Sequence, residues 1–280
     1  MRMHDKTITL DGAVIQHGDN NSRIYLMDIK DAHPDTLVES LASLANENGY
    51  GKIFAKIPKS KAEAFMKAGY GVEASAYGLY GGTERGLFLS KYIKAERENE
   101  ESLNSYQDVL SLAYGKQETD LPPLEEGESV RLCTFEDVIR MAELYKGVFD
   151  SYPFPIDKPS FLKTAMQGDT IFAGVEKGGV LVALASAECD FTEGHQYAEM
   201  TDFATDEEHR GNGYALHLLH FLELQAKERG IQTAYTIARA ISEGMNITFS
   251  KAGYTYGGRL KNNTDISGTI ESMNVWYKAL

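Results

Sequence analysis

Thr201-Asp-Phe-Ala-Thr-Asp-Glu-Glu-His-Arg-Gly-Asn-Gly-Tyr-Ala215 is the most informative segment of this chain. It connects a predicted strand to a predicted helix through a loop that contains two glycines. Residues 196–205 have the β-branched and aromatic content of a strand, and residues 211–229 carry apolar residues at helical spacing. Glycine lets the backbone approach a ligand closely, and the free N–H groups and dipole at a helix start favour a phosphate. With Arg210 beside Gly211 and Gly213, this strand–loop–helix unit predicts a pyrophosphate cradle. It is neither a P-loop, because no Gly-Lys-Ser/Thr occurs, nor a good dinucleotide fingerprint.

Composition restricts the classes of protein and partner that need to be considered. The 280 residues contain 28 Lys+Arg and 41 Asp+Glu, a net charge of −13. This acidic balance argues against nucleic acid as a partner, because nucleic-acid binding needs surplus cations. No apolar run is long enough to cross a membrane, and the N-terminus lacks the apolar core of a signal peptide. Two cysteines, Cys133 and Cys189, suit a reducing compartment, so we expect a cytoplasmic globular protein.

The chain divides into two regions of α/β character. Strand-like and helix-like segments alternate over residues 22–69 and again from residue 130 onward, which indicates an α/β fold built on a mixed sheet. Between them lies an acidic stretch with Pro122-Pro123, which breaks any helix. We therefore predict an N-terminal domain over residues 1–115, a linker over 116–129 and a C-terminal domain over 130–280.

An internal repeat connects the two regions. Phe65–Tyr70 (FMKAGY) matches Phe249–Tyr254 (FSKAGY) at five of six positions, and both follow a helix–Gly–strand segment. Two copies of this length indicate a tandem duplication of one fold. In the N-terminal copy the cradle position falls on Ile29–Pro34, which contains no glycine. That copy is expected to be degenerate and to pack on the active one, where it shapes the acceptor site.

The cradle and its context resemble the GNAT (Gcn5-related N-acetyltransferase) superfamily. Its acetyl-CoA signature, Gln/Arg-x-x-Gly-x-Gly/Ala, fits Arg210-x-x-Gly213-x-Ala215. The resemblance implies that the strand 199–205 splays from the strand 233–237 and admits the pantetheine arm of acetyl-CoA. The residues it assigns to the cosubstrate are Phe203, Ala204, Thr205, Arg210, Gly211, Asn212, Gly213, Tyr214, Ala215 and Asn246.

The catalytic groups are less clearly indicated. Glu199 lies where histone acetyltransferases of this superfamily keep their general base, and Tyr235 on the next strand is a candidate acid. Strand alternation places Glu199 on one face with Thr201 and points Asp202 the other way. Many superfamily members carry a tyrosine that protonates the departing thiolate, and an asparagine seven residues before it. This chain has Phe249 and Ser242 at those positions, so the sequence does not identify the general acid.

A closer resemblance suggests the acceptor. Residues 148–156, 201–215, 234–254 and 257–280 resemble the β-lysine N6-acetyltransferase family over nearly the whole chain. The resemblance implies a small-molecule amino acid substrate, acetylated to the compatible solute N6-acetyl-β-lysine. Carboxylates beside aromatic rings suit an ammonium group. Tyr152, Asp150, Asp202 and Arg239 are the candidate acceptor-binding residues, with Arg239 set to hold a substrate carboxylate.

Other interpretations stay open at this stage. The acceptor could be another small amine, a polyamine or a protein lysine, and a non-catalytic CoA-binding sensor is also compatible with the missing tyrosine. No metal site is expected, because His217 and His220 lack a third ligand and are expected at the surface. His195 is expected to be solvated. The protein is expected to be a monomer or a homodimer.

Overall fold

Strands from both halves of the chain join edge to edge in one mixed sheet. The computed structural model describes residues 5–116, 121–150, 152–266 and 268–280. Within these residues the sheet has thirteen strands, in the order β1-β2-β3-β4-β6-β5-β12-β13-β11-β10-β9-β8-β7. The strands are β1 Lys6–Leu10, β2 Ala13–Gly18, β3 Arg23–Asp28, β4 Lys52–Pro58, β5 Gly71–Tyr80, β6 Glu84–Tyr92, β7 Glu128–Leu132, β8 Thr170–Lys177, β9 Val180–Asp190, β10 Tyr197–Thr205, β11 Thr233–Arg239, β12 Thr255–Ile266 and β13 Thr269–Ala279.

Helices cover parts of both faces of the sheet. They are α1 Pro34–Glu47, α2 Glu63–Lys67, α3 Leu103–Tyr114, α4 Val138–Val148, α5 Pro159–Gln167, α6 Tyr214–Glu228 and α7 Glu243–Lys251. The apolar spacing that predicts α1 and α6 becomes their buried stripes, such as Leu37 and Leu41 in α1. Among the described residues, no helix is both long and apolar enough to cross a membrane.

The strand order confirms the tandem arrangement predicted from the repeat. Strands β1-β2-β3-β4-β6-β5 and strands β8-β9-β10-β11-β13-β12 follow the same path. In each copy one central pair is parallel, β3 with β4 and β10 with β11, and the other neighbours are antiparallel. The two copies therefore share one topology, and β7, α4 and α5 precede the second copy only.

The repeated hexapeptide does the same structural work in both copies. Phe65 lies in the last turn of α2 and Phe249 in the last turn of α7, and both rings are fully buried. Each packs edge-on against the tyrosine five residues later at 5.2 Å, and that tyrosine's N–H donates to the phenylalanine carbonyl. The intervening glycines, Gly69 and Gly253, have φ values of +85° and +79°, which explains why glycine stands at both positions.

The N-terminal copy keeps one sheet face free for the other copy. Helices α1 and α2 cover the face that carries Ile24, Leu26 and Ile53. The opposite face carries Tyr25 and Phe54, which join one hydrophobic cluster with residues of β10, β11 and β13. The two halves therefore have a common core.

The two copies also meet edge to edge, through equivalent strands. β5 and β12 pair antiparallel at Ala74 and Gly258. The fully buried Lys52 of the first copy donates to Glu73 at 2.8 Å and to the Lys261 carbonyl of the second copy at 2.7 Å.

The predicted domain boundary falls within a segment that packs on the second copy. Helix α3, part of the predicted N-terminal domain, lies against α7, and Ser250 Oγ donates to the Ala113 carbonyl at 2.7 Å. Residues 117–120 of the predicted linker lie outside the described residues, and its last two residues, Glu128 and Ser129, already belong to β7. The division of the chain into two domains at these bounds stays a prediction.

Gly258→Ala is expected to weaken the β5–β12 pairing that joins the two copies, called the seam here. Gly258 has φ +136°, and an added Cβ would lie 2.3 Å from the Glu73 carbonyl oxygen. Backbone strain together with a backbone clash should cost about 3 kcal/mol or more of unfolding free energy. Gly230→Ala is the control, because that glycine also has positive φ but open space around it, so about 1–2 kcal/mol is expected. Equal losses in denaturant unfolding would contradict the role of the seam.

Candidate active site

The parallel strands β10 and β11 separate part-way along their length. They pair only from Tyr197 to Glu199 on β10, opposite Thr233 to Tyr235 on β11. Beyond that point β10 continues to Thr205 and β11 to Arg239, each still paired with its other neighbour. The separation opens a slot between two backbones, as the sequence resemblance implied.

The glycine loop lies at the far end of this slot and opens α6. Gly213 has φ +74° and directly precedes the first residue of the 15-residue helix α6. Gly211 has φ +87°, and no atom lies within 4 Å of the position that its Cβ would take. Asp206 accepts from the Glu208 N–H, and Asn212 donates to the His209 carbonyl, which fixes the loop. An α6 start preceded by glycines without Cβ atoms fits a pyrophosphate.

The remaining residues assigned to the cosubstrate lie around this loop and slot. Arg210 is exposed and has Glu207 at 3.9 Å, so its guanidinium can turn toward an anion. Ala204 is buried on β10, and Tyr214 is buried with its hydroxyl donating to Glu128. Phe203 lines the slot with Phe249. The backbone and apolar side chains here fit the pantetheine and pyrophosphate of acetyl-CoA, which supplies an activated acetyl thioester.

Asn246 has a different role from the one expected. Its side chain is fully buried, donates to the carbonyls of Arg239 and Ser242, and accepts from Asn274 and Trp276. Every polar position of the amide is therefore used inside the protein, and Asn246 holds the end of β11 to β13. Ser242 caps α7 by accepting from the Met245 N–H.

A cavity of about 520 Å³ continues from the slot and lies between the two copies. The C-terminal copy contributes residues of β9, β10 and β11, the segment after α4, and the end of β12. The N-terminal copy contributes the helix-free face of its sheet. Its lining side chains are Val14, Gln16, Arg23, Tyr25, Met27, Asp28, Lys30, Phe54 and Lys56. The N-terminal half therefore shapes the cavity, as predicted.

Among the carboxylates that line the cavity, those of Glu188, Glu199 and Asp202 on β9 and β10 influence one another's charge. Enclosure by protein raises the pKa of Glu199 and Asp202, and it raises that of Glu188 to about 8 with help from the negative Asp202 and Glu199. The predicted orientation of Asp202 is wrong. The β9–β10 register shifts between Thr201 and Ala204, and Asp202 takes φ +57°, which turns its side chain into the same cavity as Glu199.

The two predicted catalytic residues are in direct contact. Tyr235 Oη donates to Glu199 Oε2 at 2.6 Å and accepts from Lys56 Nζ at 2.9 Å. Lys56 is itself buried, and its ammonium lies 4.4 Å from the centre of the Tyr197 ring. Burial raises the pKa of Tyr235 well above its ordinary value, so its proton stays on the hydroxyl. The lysine charge favours ionised Glu199 and so opposes the effect of burial on its pKa.

The predicted acceptor-binding residues separate into different environments. Tyr152 lines the cavity and donates to Asp202 Oδ1 at 2.6 Å. Asp150 is exposed and is not among the cavity-lining residues. Arg239 lines the cavity but is held by a bidentate pair to Glu271, at 2.8 and 2.6 Å. The pairing of Arg239 leaves little reason for it to bind a substrate carboxylate.

Histidines differ from their sequence expectations in two places. His217 is 9% exposed and packs within α6, so the prediction that it is a surface residue is wrong. His195 is not fully solvated, because it pairs with Asp190 at 2.7 Å and stacks on Tyr197. Asp28, Asp190 and His195 bring potential ligand atoms within 4.8 Å of one another at the cavity edge. The prediction that the protein needs no metal stays a prediction.

Sequence reasoning missed the cations that the N-terminal copy contributes. Lys56 and Arg23 stand on the helix-free faces of β4 and β3. A signal was present, because Lys52, Phe54 and Lys56 alternate on a strand whose other face is apolar. Charged residues in a central α/β strand are unusual enough to suggest a buried site.

Comparison with known proteins agrees with the fold and the cradle. Residues 136–249 match the model of the acetyltransferase (GNAT) family. Three curated relatives align over most of their length. A β-lysine N(6)-acetyltransferase from Methanococcus maripaludis is 36% identical over 275 residues, covering 98% of both chains. One from Methanosarcina mazei is 30% identical over 88% of this chain and 97% of its own. N-acetyltransferase YodP from Bacillus subtilis is 30% identical over 96% of both.

The splayed strands, the glycine loop and the family match together define an acetyl-CoA-dependent N-acetyltransferase of the GNAT class. Within that class the chain belongs to the family of the β-lysine N(6)-acetyltransferases.

Gly213→Asp is expected to remove coenzyme A binding. The new carboxylate would stand at the α6 N-terminus, where a pyrophosphate would bind, and like charges brought together there cost several kcal/mol, an affinity loss of about 100-fold or more. Gly69→Asp is the control, because it adds the same charge at a positive-φ glycine with open surroundings in the other copy. Calorimetric titration with free coenzyme A reads binding directly, and equal affinity of the Gly213→Asp variant would refute the cradle.

Proposed function

We propose that this protein transfers the acetyl group of acetyl-CoA to the N6 amine of β-lysine, (3S)-3,6-diaminohexanoate. Near-full-length similarity to enzymes with that name supports the proposal. The observation that carries it is the cavity itself, which is enclosed by both copies and has carboxylates around Glu199 and a cation, Arg23, on the N-terminal sheet. Such a cavity suits a short diamine that also carries a carboxylate.

The carboxylates prepare the amine for attack. An alkyl ammonium is not nucleophilic until it loses a proton, and a carboxylate with a raised pKa is suited to accept it. Glu199 is the best placed, because it is the last β10 residue before the strands separate. Glu188 and Asp202 lie beside it and attract the ammonium into position.

Tyr235 and Lys56 act on Glu199 and not on the thioester. The Tyr235 hydroxyl donates a hydrogen bond to Glu199 and so fixes the orientation of the carboxylate, and Lys56 donates to that hydroxyl in turn. We assign both as positioning residues. Phe249 and Phe203 close the slot with aromatic faces and exclude water from the thioester.

The product explains a physiological role. Acetylation of N6 removes one positive charge and leaves a zwitterion of zero net charge, a property typical of compatible solutes. We therefore assign the enzyme to osmoprotection in the cytoplasm. Free thiols at Cys133 and Cys189 are compatible with a reducing compartment.

The substrate assignment is tested by thiol release from acetyl-CoA with β-lysine, α-lysine, spermidine and a lysine peptide side by side. β-Lysine should give the highest kcat/KM by at least about tenfold, because a difference of that size needs only one well-placed polar contact. Mass spectrometry and NMR of the product should place the acetyl group on N6. Preference for spermidine or the peptide would replace the proposed acceptor, and binding of coenzyme A without turnover would favour a sensor.

Glu199→Gln should lower kcat by about 100-fold or more with little change in coenzyme A affinity, which is the usual contribution of a general base. Glu199 acts only when ionised, so the wild-type rate should rise with pH through its raised pKa, and the variant should lose that limb. Glu188→Gln is the matched control in the same cavity and should retain the limb. A pH–rate profile that Glu199→Gln leaves unchanged would exclude this residue as base.

A further inference from the structure

Three buried polar atoms that belong to side chains lining the cavity have no hydrogen-bond partner among the described residues. They are Gln16 Nε2, Arg23 Nε and Asn263 Oδ1. All three side chains line the cavity, and they are 2%, 5% and 1% exposed. A buried polar group without a partner is costly, and in native proteins it commonly marks a place where a ligand completes the bonding.

Arg23 is held in place by the second copy. Its Nη1 donates to the Asn263 carbonyl at 2.5 Å and to Thr264 Oγ1 at 3.0 Å, and its guanidinium lies 5.5 Å from the centre of the Tyr25 ring. These contacts leave the Nε edge free. In the described part of the chain, no carboxylate lies within ion-pair distance of this guanidinium. An unpaired buried cation of this kind invites an anionic ligand.

Gln16 lies next to Arg23 on the same face of the sheet. The β2–β3 register pairs Gln16 with Tyr25 and Gly18 with Arg23, so Gln16 is the diagonal neighbour of Arg23. Diagonal positions are about 7–8 Å apart, within the reach of two long side chains that share one ligand. Gly18, which pairs with Arg23, has no side chain of its own, and the Asp5 side chain lies where its Cβ would be.

Positive and negative side chains are distributed unevenly over the cavity wall. The carboxylates of Glu188, Asp190, Glu199 and Asp202 lie on β9 and β10, whereas β3 of the other copy carries Arg23 at its start and Asp28 at its end. A diamino acid whose terminal amine points toward Glu199 and whose carboxylate points toward Arg23 meets an opposite charge at both ends. The three unpartnered atoms suit the end of the substrate that carries the carboxylate and the 3-ammonium. The donors Gln16 Nε2 and Arg23 Nε suit the carboxylate, and the acceptor Asn263 Oδ1 suits the ammonium.

We propose that Gln16, Arg23 and Asn263 form an acceptor subsite, in which Arg23 Nε and Gln16 Nε2 bind the substrate carboxylate and Asn263 Oδ1 binds its 3-ammonium. This inference rests on the proposed function, because it names the groups of β-lysine that remain after N6 is placed at Glu199. The degenerate copy thereby supplies specificity. Polyamines lack the carboxylate, and a lysine within a peptide carries an amide in its place.

The subsite is tested by comparing β-lysine with its primary amide, 3,6-diaminohexanamide, which has the same shape without the negative charge. The wild-type enzyme should favour the acid in kcat/KM by about 30-fold or more, as expected for charge-assisted hydrogen bonds. Arg23→Gln should raise KM for the acid by a similar factor, leave kcat within about threefold, and change the amide little. The preference for the acid should therefore collapse.

Two further variants keep the test independent of folding. Gln16→Leu removes an amide nitrogen without a partner and is expected to leave the fold intact, while it reduces the acid-to-amide preference by about 5–10-fold. Arg85→Gln removes an exposed arginine outside the cavity and should leave the preference unchanged. Thermal unfolding of each variant reports on its stability.

The outcomes separate this inference from the proposed function. If wild type acetylates β-lysine but accepts the amide equally well, the subsite is wrong and the proposed function stands. If Arg23→Gln or Gln16→Leu lowers activity on acid and amide alike, the residue has a structural role only, and the subsite is again overturned. If wild type does not acetylate β-lysine, the proposed function fails and the ligand named for this subsite fails with it.

Discussion

The hydrogen-bond chain from Lys56 through Tyr235 to Glu199 is the interaction on which the rest of the site depends. A carboxylate enclosed by protein is costly unless a cation or donor compensates it. Here the donor is on the neighbouring strand β11, and the cation comes from β4 of the other copy. Glu199, the proposed base, therefore has both its donor and its compensating cation only when the two copies are packed together.

Duplication made this division of work possible. The C-terminal copy keeps the glycines at the start of α6, whereas the matching position of the N-terminal copy leads to Pro34 at the start of α1. In the described residues the first copy has no counterparts of α4 and α5, so the sheet face they would cover is free to close the cavity. The copy without the glycine loop is thus the one that contributes Gln16, Arg23 and Lys56 to the cavity wall.

The sequence predicts well what depends on neighbours in the chain. The β10–loop–α6 unit and the FxKAGY repeat follow from local spacing, the strand separation beside Glu199 follows from the family resemblance, and the structure has all three where expected. Asp202 could not be placed, because the bulge breaks the alternation on which its predicted orientation relied. Lys56 and Arg23 were missed because their partners, Tyr235 and Asn263, are 179 and 240 residues away.

The charged groups of the cavity affect both the stability of the fold and the choice of substrate. The pKa of Glu188 is raised to about 8, so its ionisation costs the fold stability as the pH rises from the ordinary carboxyl range through that value. A substrate ammonium would supply the missing positive charge, lower the pKa of these carboxylates and so favour the ionised form that accepts its proton. Burial of the positive Arg23 lowers its pKa, and a substrate carboxylate beside it would stabilise the charged form. A ligand with only one of these charges would correct one mismatch and leave the other, which is a physical basis for selecting a diamino acid over a diamine.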